Sequence, residues 1–541
     1  MSNQDREIGL RYLQATYYGL PELFAEGQGE EGMPGEPLKF KVYRGVPHYP
    51  LNQRLPLSLG DLRRALVSQG QDTHRRVGPR SLDDQILSCL LYYSYGFSRH
   101  DSGLDARWPF HRLVASARCF FPAELYAWLP AAEPVPSGFY HYDNLHHCLA
   151  ALRQGDYRAV LSAALGCELT DSLGVLFVSA YFWKNAFRYR NFSYRLCSQE
   201  VGMVVGNILL VCGVLGIAAR VHYQFLDRVL IHLLGLEDGE ESPFAAVVLS
   251  PAESERQATK TLPAPAISAE ALLKEIEPIA PAHIKLSALD RERCQKLLEI
   301  DQHSRLESSA ELAVLLPPAT PSCDQSLPTL EAPAPWPEEL ELVQALYQRS
   351  SGDVFFLPLY RPVSRVAFWE IVRYSLVPYA SDLGGVDRRR PALELFLALN
   401  NVADVPAGIY RLCGSCGALH VVEQRAVAAQ IQAIHSTPAV NCGSAPFVAY
   451  PVASYGTLSA ALGNRAYRIM NMECGLVAQR LSVLSAAFGL VARCSDSYHL
   501  DRCAELLHLR ERVETPLFLI AFGYERPGAG AGARYRHSIR L

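Results

Sequence analysis

Cys413 and Cys416, in the stretch CGSC, have the spacing of a metal-binding or redox-active pair. A lone C-x-x-C is a weak signal, and no second pair accompanies it. An internal repeat, described below, sets it opposite DNLHH, Asp143 to His147, so the expected structure is a hairpin turn and no metal is expected. His146 and His147 read as surface or packing residues. A third concentration of reactive side chains is KNAFRYRNFSYR, Lys184 to Arg195. Arginine keeps its proton in proteins, so Arg188 cannot act as a base. By residue type alone this segment is a basic, exposed stretch ahead of a buried helix.

The elements that position these residues occur twice. Asn191–Arg220, shifted by 273 residues, overlies Asn464–Arg493 without a gap, and nine of thirty positions are identical, among them Tyr194/Tyr467, Arg195/Arg468, Glu200/Glu473 and Gly202/Gly475. An offset of 270 pairs ELYAWL (from Glu124) with ELFLAL (from Glu394), and VPSGFY (from Val135) with VPAGIY (from Val405). Self-similarity at a fixed offset implies one structural unit used twice. Each copy reads as strand, hairpin, long helix, strand.

The repeat bears on the apolar run Val201–Ala219, nineteen residues without a charge and long enough to span a bilayer. Its twin carries Gln479 and Arg480 in mid-helix. A charge there costs roughly 2.5 kcal/mol or more in a membrane. We therefore expect a long helix buried against its own twin, with Gly202, Gly206, Gly213 and Gly216 allowing close backbone approach, and no membrane.

Composition agrees with a globular protein. The 541 residues are 49% hydrophobic and 20% charged, with a formal net charge of −4. That length needs more than one core, and no basic field points to nucleic acid. Fourteen cysteines without a framework spacing fit reduced thiols in a cytoplasm, and the first residues lack a signal-peptide layout. The expected organisation is an irregular N-terminal arm (1–55), a first domain (56–250), a proline-rich, partly helical linker (251–340) that acts as a spacer, and a second domain (341–541). The fold class is α+β, a layered domain present twice and packed as an intrachain pseudo-dimer.

The order of motifs resembles the nitroreductase-like flavoproteins, specifically the SagB/ThcOx-type azoline dehydrogenases. The segments that carry it are LKFKVYRGVPHYPL, LDDQILSCLLYYSYG, RLVASARCFFPAELYAWL and FRYRNFSYRLCSQEVGMVVGNILL in the first copy, and QRSSGDVF and GNRAYRIMNMECGLVAQRL in the second. The resemblance implies FMN-dependent, tandem nitroreductase-like domains and oxidation of an azoline to an azole in a peptide or carrier-bound substrate, with other biosynthetic enzymes as partners. An NAD(P)H-driven reductase and a flavin-less scaffold are the alternatives.

The resemblance also assigns roles. Arg349 and Ser350 match the phosphate motif, Gly352 replacing its last arginine, and Arg534 and Arg536 match a C-terminal basic contact. Ser116 stands where a partner subunit's serine reaches the flavin, Arg118 replacing the usual glycine. Glu473 and Gly475 fall at the start of the helix along the ring. Arg188 and Tyr189 take the places of a catalytic lysine and tyrosine, which leaves Tyr189 as the base, Arg188 as an anion stabiliser and Lys184 as a substitute base. The first copy offers only Arg75, Arg76 and Arg80 for a phosphate, and the second has DRRRPALE for the serine motif. One FMN per chain is therefore expected, with the mirror-related site degenerate.

Overall fold

The computed structural model describes residues 3–25, 35–68, 78–102, 108–252, 265–313, 326–352, 356–384, 388–414, 416–436, 440–510, 513–525 and 533–535. Arg75, Arg76 and Arg536 lie outside them.

Two antiparallel sheets repeat one strand order. The first is built from β1 (His48–Pro50), β4 (Ala123–Leu129), β5 (Gly138–Asp143), β6 (Cys148–Gln154), β7 (Gly174–Tyr181), β8 (Ile217–His222) and β9 (Glu241–Pro251), ordered β1-β6-β5-β4-β7-β9-β8. The second uses β10 (Thr329–Leu330), β11 (Glu394–Leu399), β12 (Gly408–Leu412), β13 (Leu419–Gln424), β14 (Phe447–Ala453), β15 (Val491–Ser495) and β17 (Leu519–Gly523), ordered β10-β13-β12-β11-β14-β17-β15, with β16 (Thr515–Pro516) beside β14. Strand replaces strand along both paths, so the sequence repeat is a structural one. Most of these strands are buried along their length, which is why they read as nearly continuous apolar runs such as GVLFV and FAAVVL.

The halves meet through helices Ser193–Leu215 and Ala466–Ala487. A Cβ on Gly202 would lie 1.9 Å from the carbonyl oxygen of Met472, and one on Gly475 would lie 1.9 Å from that of Gln199. The reciprocal contacts are the signature of a two-fold crossing. The apolar run ends sooner than its composition suggests: Gly216, at φ 70°, stops the helix, and Ile217–His222 continues as a strand. One stretch of described residues, Phe182–Leu215, is long and apolar enough to cross a membrane, and 89% of its most apolar window is buried inside the protein. Gln479 donates to Asn207 Oδ1 at 2.7 Å and to the Leu113 carbonyl at 3.1 Å, while Arg480 donates to the carbonyls of Ser375 and Val377. The Gln479 amide nitrogen is thus met by the other half and the Arg480 guanidinium by its own half, as most buried polar groups are.

One hydrophobic core runs through both halves, joining Leu125, Leu176 and Val204 to Leu397, Val448 and Leu476. A smaller core lies on the outer face of the first sheet around Tyr126, Trp128, Phe177 and Leu230. The arm expected to be irregular is helical over Glu7–Ala25 apart from Gly19, and it packs on the second half. Asn464 Oδ1 accepts from Gly9 N at 2.8 Å, and the Tyr12 ring meets Tyr467 edge-on. Linker residues enter both cores: Leu289, Leu297 and Ile300 the shared one, and Leu272 and Ile276 the outer one. Finally, β18 (Ala533–Tyr535) leaves the second half and pairs with β2 (Phe97–Ser102) of the first, which also carries β3 (Phe110–Arg112).

Candidate functional site between the halves

The connection from β3 to β4 has unusual backbone. Ser116 is extended, but Arg118, Cys119 and Phe121 all have φ between 50° and 54°. Three non-glycine residues in the left-handed region within four positions store strain, which persists only where the surroundings hold it. Several groups hold this loop. The Ser116 hydroxyl accepts from Phe121 N at 2.9 Å and bonds the Glu200 carboxyl. Lys184 Nζ donates to the Phe121 and Lys39 carbonyls at 3.1 Å each and pairs with Glu124. The Arg112 guanidinium lies 4.5 Å from the Tyr95 ring centroid and 4.6 Å from that of Phe121.

Glu200, on the first long helix, is 4% exposed. It accepts from the Tyr95 hydroxyl at 3.0 Å and from the Ala123 N–H. Burial raises its carboxyl to about 7 against the opposing pull of Ser116, Arg112 and Tyr95.

The second half contributes Arg349, at the end of helix Leu342–Gln348. Its Nε donates to the Leu113 carbonyl and its Nη2 to that of Arg112, both at 3.1 Å, across the junction of the halves. Arg349 is 3% exposed, and among the described residues no carboxylate pairs with it and Nη1 has no hydrogen-bond partner. Burial, with Arg99 nearby, pulls it down to about 10. Ser350 Oγ accepts from Gly352 N at 3.1 Å, and Gly352 adopts φ 78°, a turn its missing Cβ permits. His111 Nε2 lies 2.9 Å from Asp101, which also holds Arg99 at 3.1 Å; burial and then Arg99 push His111 down to about 4. Strand β18 places the Arg534 backbone opposite Asp101.

Of the residues singled out from sequence, Arg349 and Ser116 thus flank one junction, with Ser350 next to the first and the Arg534 backbone on the adjoining strand. Lys184 grips the Ser116–Phe121 loop. Tyr189, half-buried beside half-buried Arg188 at the end of helix Phe182–Tyr189, faces Phe120 with ring centroids 6.4 Å apart. Glu473 is not brought to this place, and Gly475 reaches only its edge, against Gln199, which precedes Glu200. Gly475 lies at the helix crossing, and Glu473 occupies the mirror-related position. There it accepts from Ala392 N and the Tyr379 hydroxyl, each at 2.7 Å, and meets Arg389 at 3.5 Å. Where one junction has Ser116 against Glu200, the other has a buried arginine against Glu473. Sequence reasoning chose Glu473 and passed over Glu200, although the repeat pairs the two.

No family profile and no curated protein matches the chain. Among solved structures, a protein assigned as a nitroreductase from Anabaena variabilis aligns with a TM-score of 0.71 at 19% identity, over 96% of this chain and 99% of its own. Another so assigned, from Ralstonia eutropha, aligns over 42% of this chain and 97% of its own, at 20% identity and a TM-score of 0.31. The Escherichia coli microcin synthetase McbBCD complex with truncated pro-MccB17 bound contains a chain aligning over 45% of this one and 92% of its own, at 17% identity and a TM-score of 0.27. The Anabaena likeness, across both halves, shows that the fold is nitroreductase-like and duplicated within one chain.

Proposed function

We propose that the chain is an FMN-dependent oxidoreductase that converts an azoline to an azole in a peptide or carrier-bound substrate, with one flavin site per chain at the junction of Arg349 and the Ser116–Phe121 loop. The observation that carries this reading is Arg349. A guanidinium taken out of water without an anion is costly. Among the described residues this one keeps a donor unused and has no carboxylate partner. A phosphate supplies both the missing charge and the missing acceptor. At the mirror-related junction Arg389 already pairs with Glu473, so the chain's own side chains compensate each other there.

When bound, the flavin supplies the hydride acceptor, its N5 position. Azoline oxidation removes one hydrogen as hydride and one as a proton, and the overall conversion would consume dioxygen and release hydrogen peroxide. The protein's share is placement and the proton. Tyr189 is the base, with Arg188 beside it to stabilise the tyrosinate. Lys184 spends its donors on two carbonyls and Glu124, so its role is to position the strained loop rather than to take the proton. Ser350 adds to the phosphate grip, for which the sequence resemblance also offers Arg534 and Arg536, the latter outside the described residues. The protein works in a cytoplasm, where the thiols remain reduced, and alongside other biosynthetic enzymes.

The test is flavin stoichiometry followed by turnover. Reconstituted protein should hold one FMN per chain. R349A should weaken FMN binding at least tenfold, whereas R389A should not. An azoline peptide should lose two hydrogens, seen by mass spectrometry, with release of hydrogen peroxide. Equal flavin loss in both variants, or two flavins per chain, would refute the asymmetric site. Flavin bleaching by NADPH without peptide oxidation would make the protein a reductase, and a colourless protein that ignores FMN would make it a scaffold.

A further inference from the structure

Far along the second sheet, the connection between β12 and β13 brings Cys413, Cys416 and His420 together. Their ligand atoms all lie within 4.8 Å of one another. A tetrahedral zinc site, with Zn–S near 2.3 Å and Zn–N near 2.0 Å, places ligand atoms about 3.5–3.8 Å apart, so the cluster needs only a small closing movement.

The backbone is arranged for the same purpose. Cys413 N donates to the Ala418 carbonyl at 2.8 Å, and Gly417 N donates to the Cys413 carbonyl at 3.0 Å. Gly417 has φ 72°, and a Cβ there would meet nothing within 4 Å, so conformation rather than space calls for glycine. This C-x-x-C-G turn folds the two cysteines back toward β13, where His420, opposite Arg411 on one side and Thr329 on the other, is fixed by two neighbouring strands. Cys413 and His420 are buried, and Cys416 is exposed at the entrance. Neither cysteine is in a disulfide. The Arg390 guanidinium stands within electrostatic reach of both thiols, and a nearby cation favours the thiolates that bind metal.

The duplication provides a contrast. In the first half the equivalent turn is closed by a carboxylate: Asp143 accepts from Leu145 N and His146 N at 3.0 and 3.1 Å and meets the His146 ring at 2.7 Å. His48 and Cys148 also gather around Asp143 within 4.8 Å, but Asp143 is already committed to the turn; the second half has two thiols and a histidine with no carboxylate among them.

We propose that Cys413, Cys416 and His420 bind one zinc ion, with a fourth position left for water or another exogenous ligand, and that the ion pins the β12–β13 turn to its sheet. The cysteines bind as thiolates, releasing two protons, and His420 binds as neutral imidazole. The site is separate from the flavin junction and does not depend on that reading.

Metal content of the full chain tests it directly. Protein purified with a phosphine reductant and incubated with zinc, then desalted, should retain about one zinc per chain by mass spectrometry. Cobalt(II) in place of zinc should give a thiolate-to-cobalt charge-transfer band that saturates at one equivalent. C416S, at an exposed position that leaves the core intact, should lose at least nine-tenths of the zinc and the charge-transfer band at one equivalent, while keeping the wild-type circular dichroism. H420Q should weaken retention at least tenfold. No retained zinc and no cobalt band in the wild type, or equal zinc and cobalt signals in wild type and C416S, would overturn the proposal.

Discussion

At the scale of single residues, the duplicated chain is its own control. Glu200 and Glu473 occupy matching positions, and each accepts from a backbone amide close to the start of the corresponding strand, Ala123 for one and Ala392 for the other. One faces a serine hydroxyl and the other an arginine. Burial raises Glu200 to about 7, from an ordinary value of 4.5. A raised carboxyl binds its proton more tightly in the folded state. Its contribution is therefore present below pH 4.5 and is lost as pH rises through about 7. At 1.36 kcal/mol per unit, the full loss is on the order of 3 kcal/mol. E200Q, which keeps the shape without the charge, should match the wild type in urea denaturation at pH 4.5 and exceed it by about that amount at pH 8. An unchanged difference between the two pH values would mean that Glu200 is not held protonated. Residue-scale legibility was uneven for the same reason. Arg349 stood in a recognisable local motif, QRSSG. The importance of Glu200 rests on contacts with Tyr95, Ser116 and Ala123, which are distant in sequence from it and which only the fold assembles.

At the scale of elements, the long helices were readable because two copies of one pattern constrain each other. Gln479 and Arg480 argued against a bilayer, and Gly202 was expected to let the twin helix approach; Gly475, assigned by resemblance to the flavin side, is its counterpart at the crossing. The structure gives the crossing a sharp consequence. An alanine at either glycine would drive its Cβ into a backbone carbonyl of the other half, a contact no rotamer change relieves. G475A should destabilise the protein by about 1–3 kcal/mol or more. By contrast G489A, whose Cβ would meet nothing within 4 Å, should cost only the strain of its φ of 73°. Thermal midpoints of the two variants decide this, and a G475A midpoint at or above that of G489A would mean that the helices do not cross so closely. What could not be read was where the apolar run stops being helix. Gly216 looked like one more small residue for packing, whereas its left-handed backbone turns the chain from helix into strand.

At the scale of the molecule, the halves are joined by more than one interface. Helix Glu7–Leu13, at the start of the chain, bonds Asn464 and packs on Tyr467. Linker residues between 267 and 300 enter both cores, and β18 carries the end of the second half into the β2–β3 ribbon of the first. None of these follows from local pattern. The arm and linker carry loop-like proline and glycine, and their apolar residues become core only because the two sheets already stand there. Since a single hydrophobic core contains the inner faces of both sheets, neither half alone can cover its apolar surface. The whole chain should therefore unfold in one cooperative step, with circular dichroism, tryptophan fluorescence and calorimetry giving the same midpoint. Polypeptides covering residues 1–340 and 341–541, expressed separately, should be insoluble or molten, and should recover native circular dichroism when refolded together. If the second polypeptide alone showed a sharp transition, the halves would be domains in contact rather than one folding unit. The junction of Arg349 with the Ser116–Phe121 loop, drawn from both halves, could then open by their separation, instead of being fixed at the moment the chain folds.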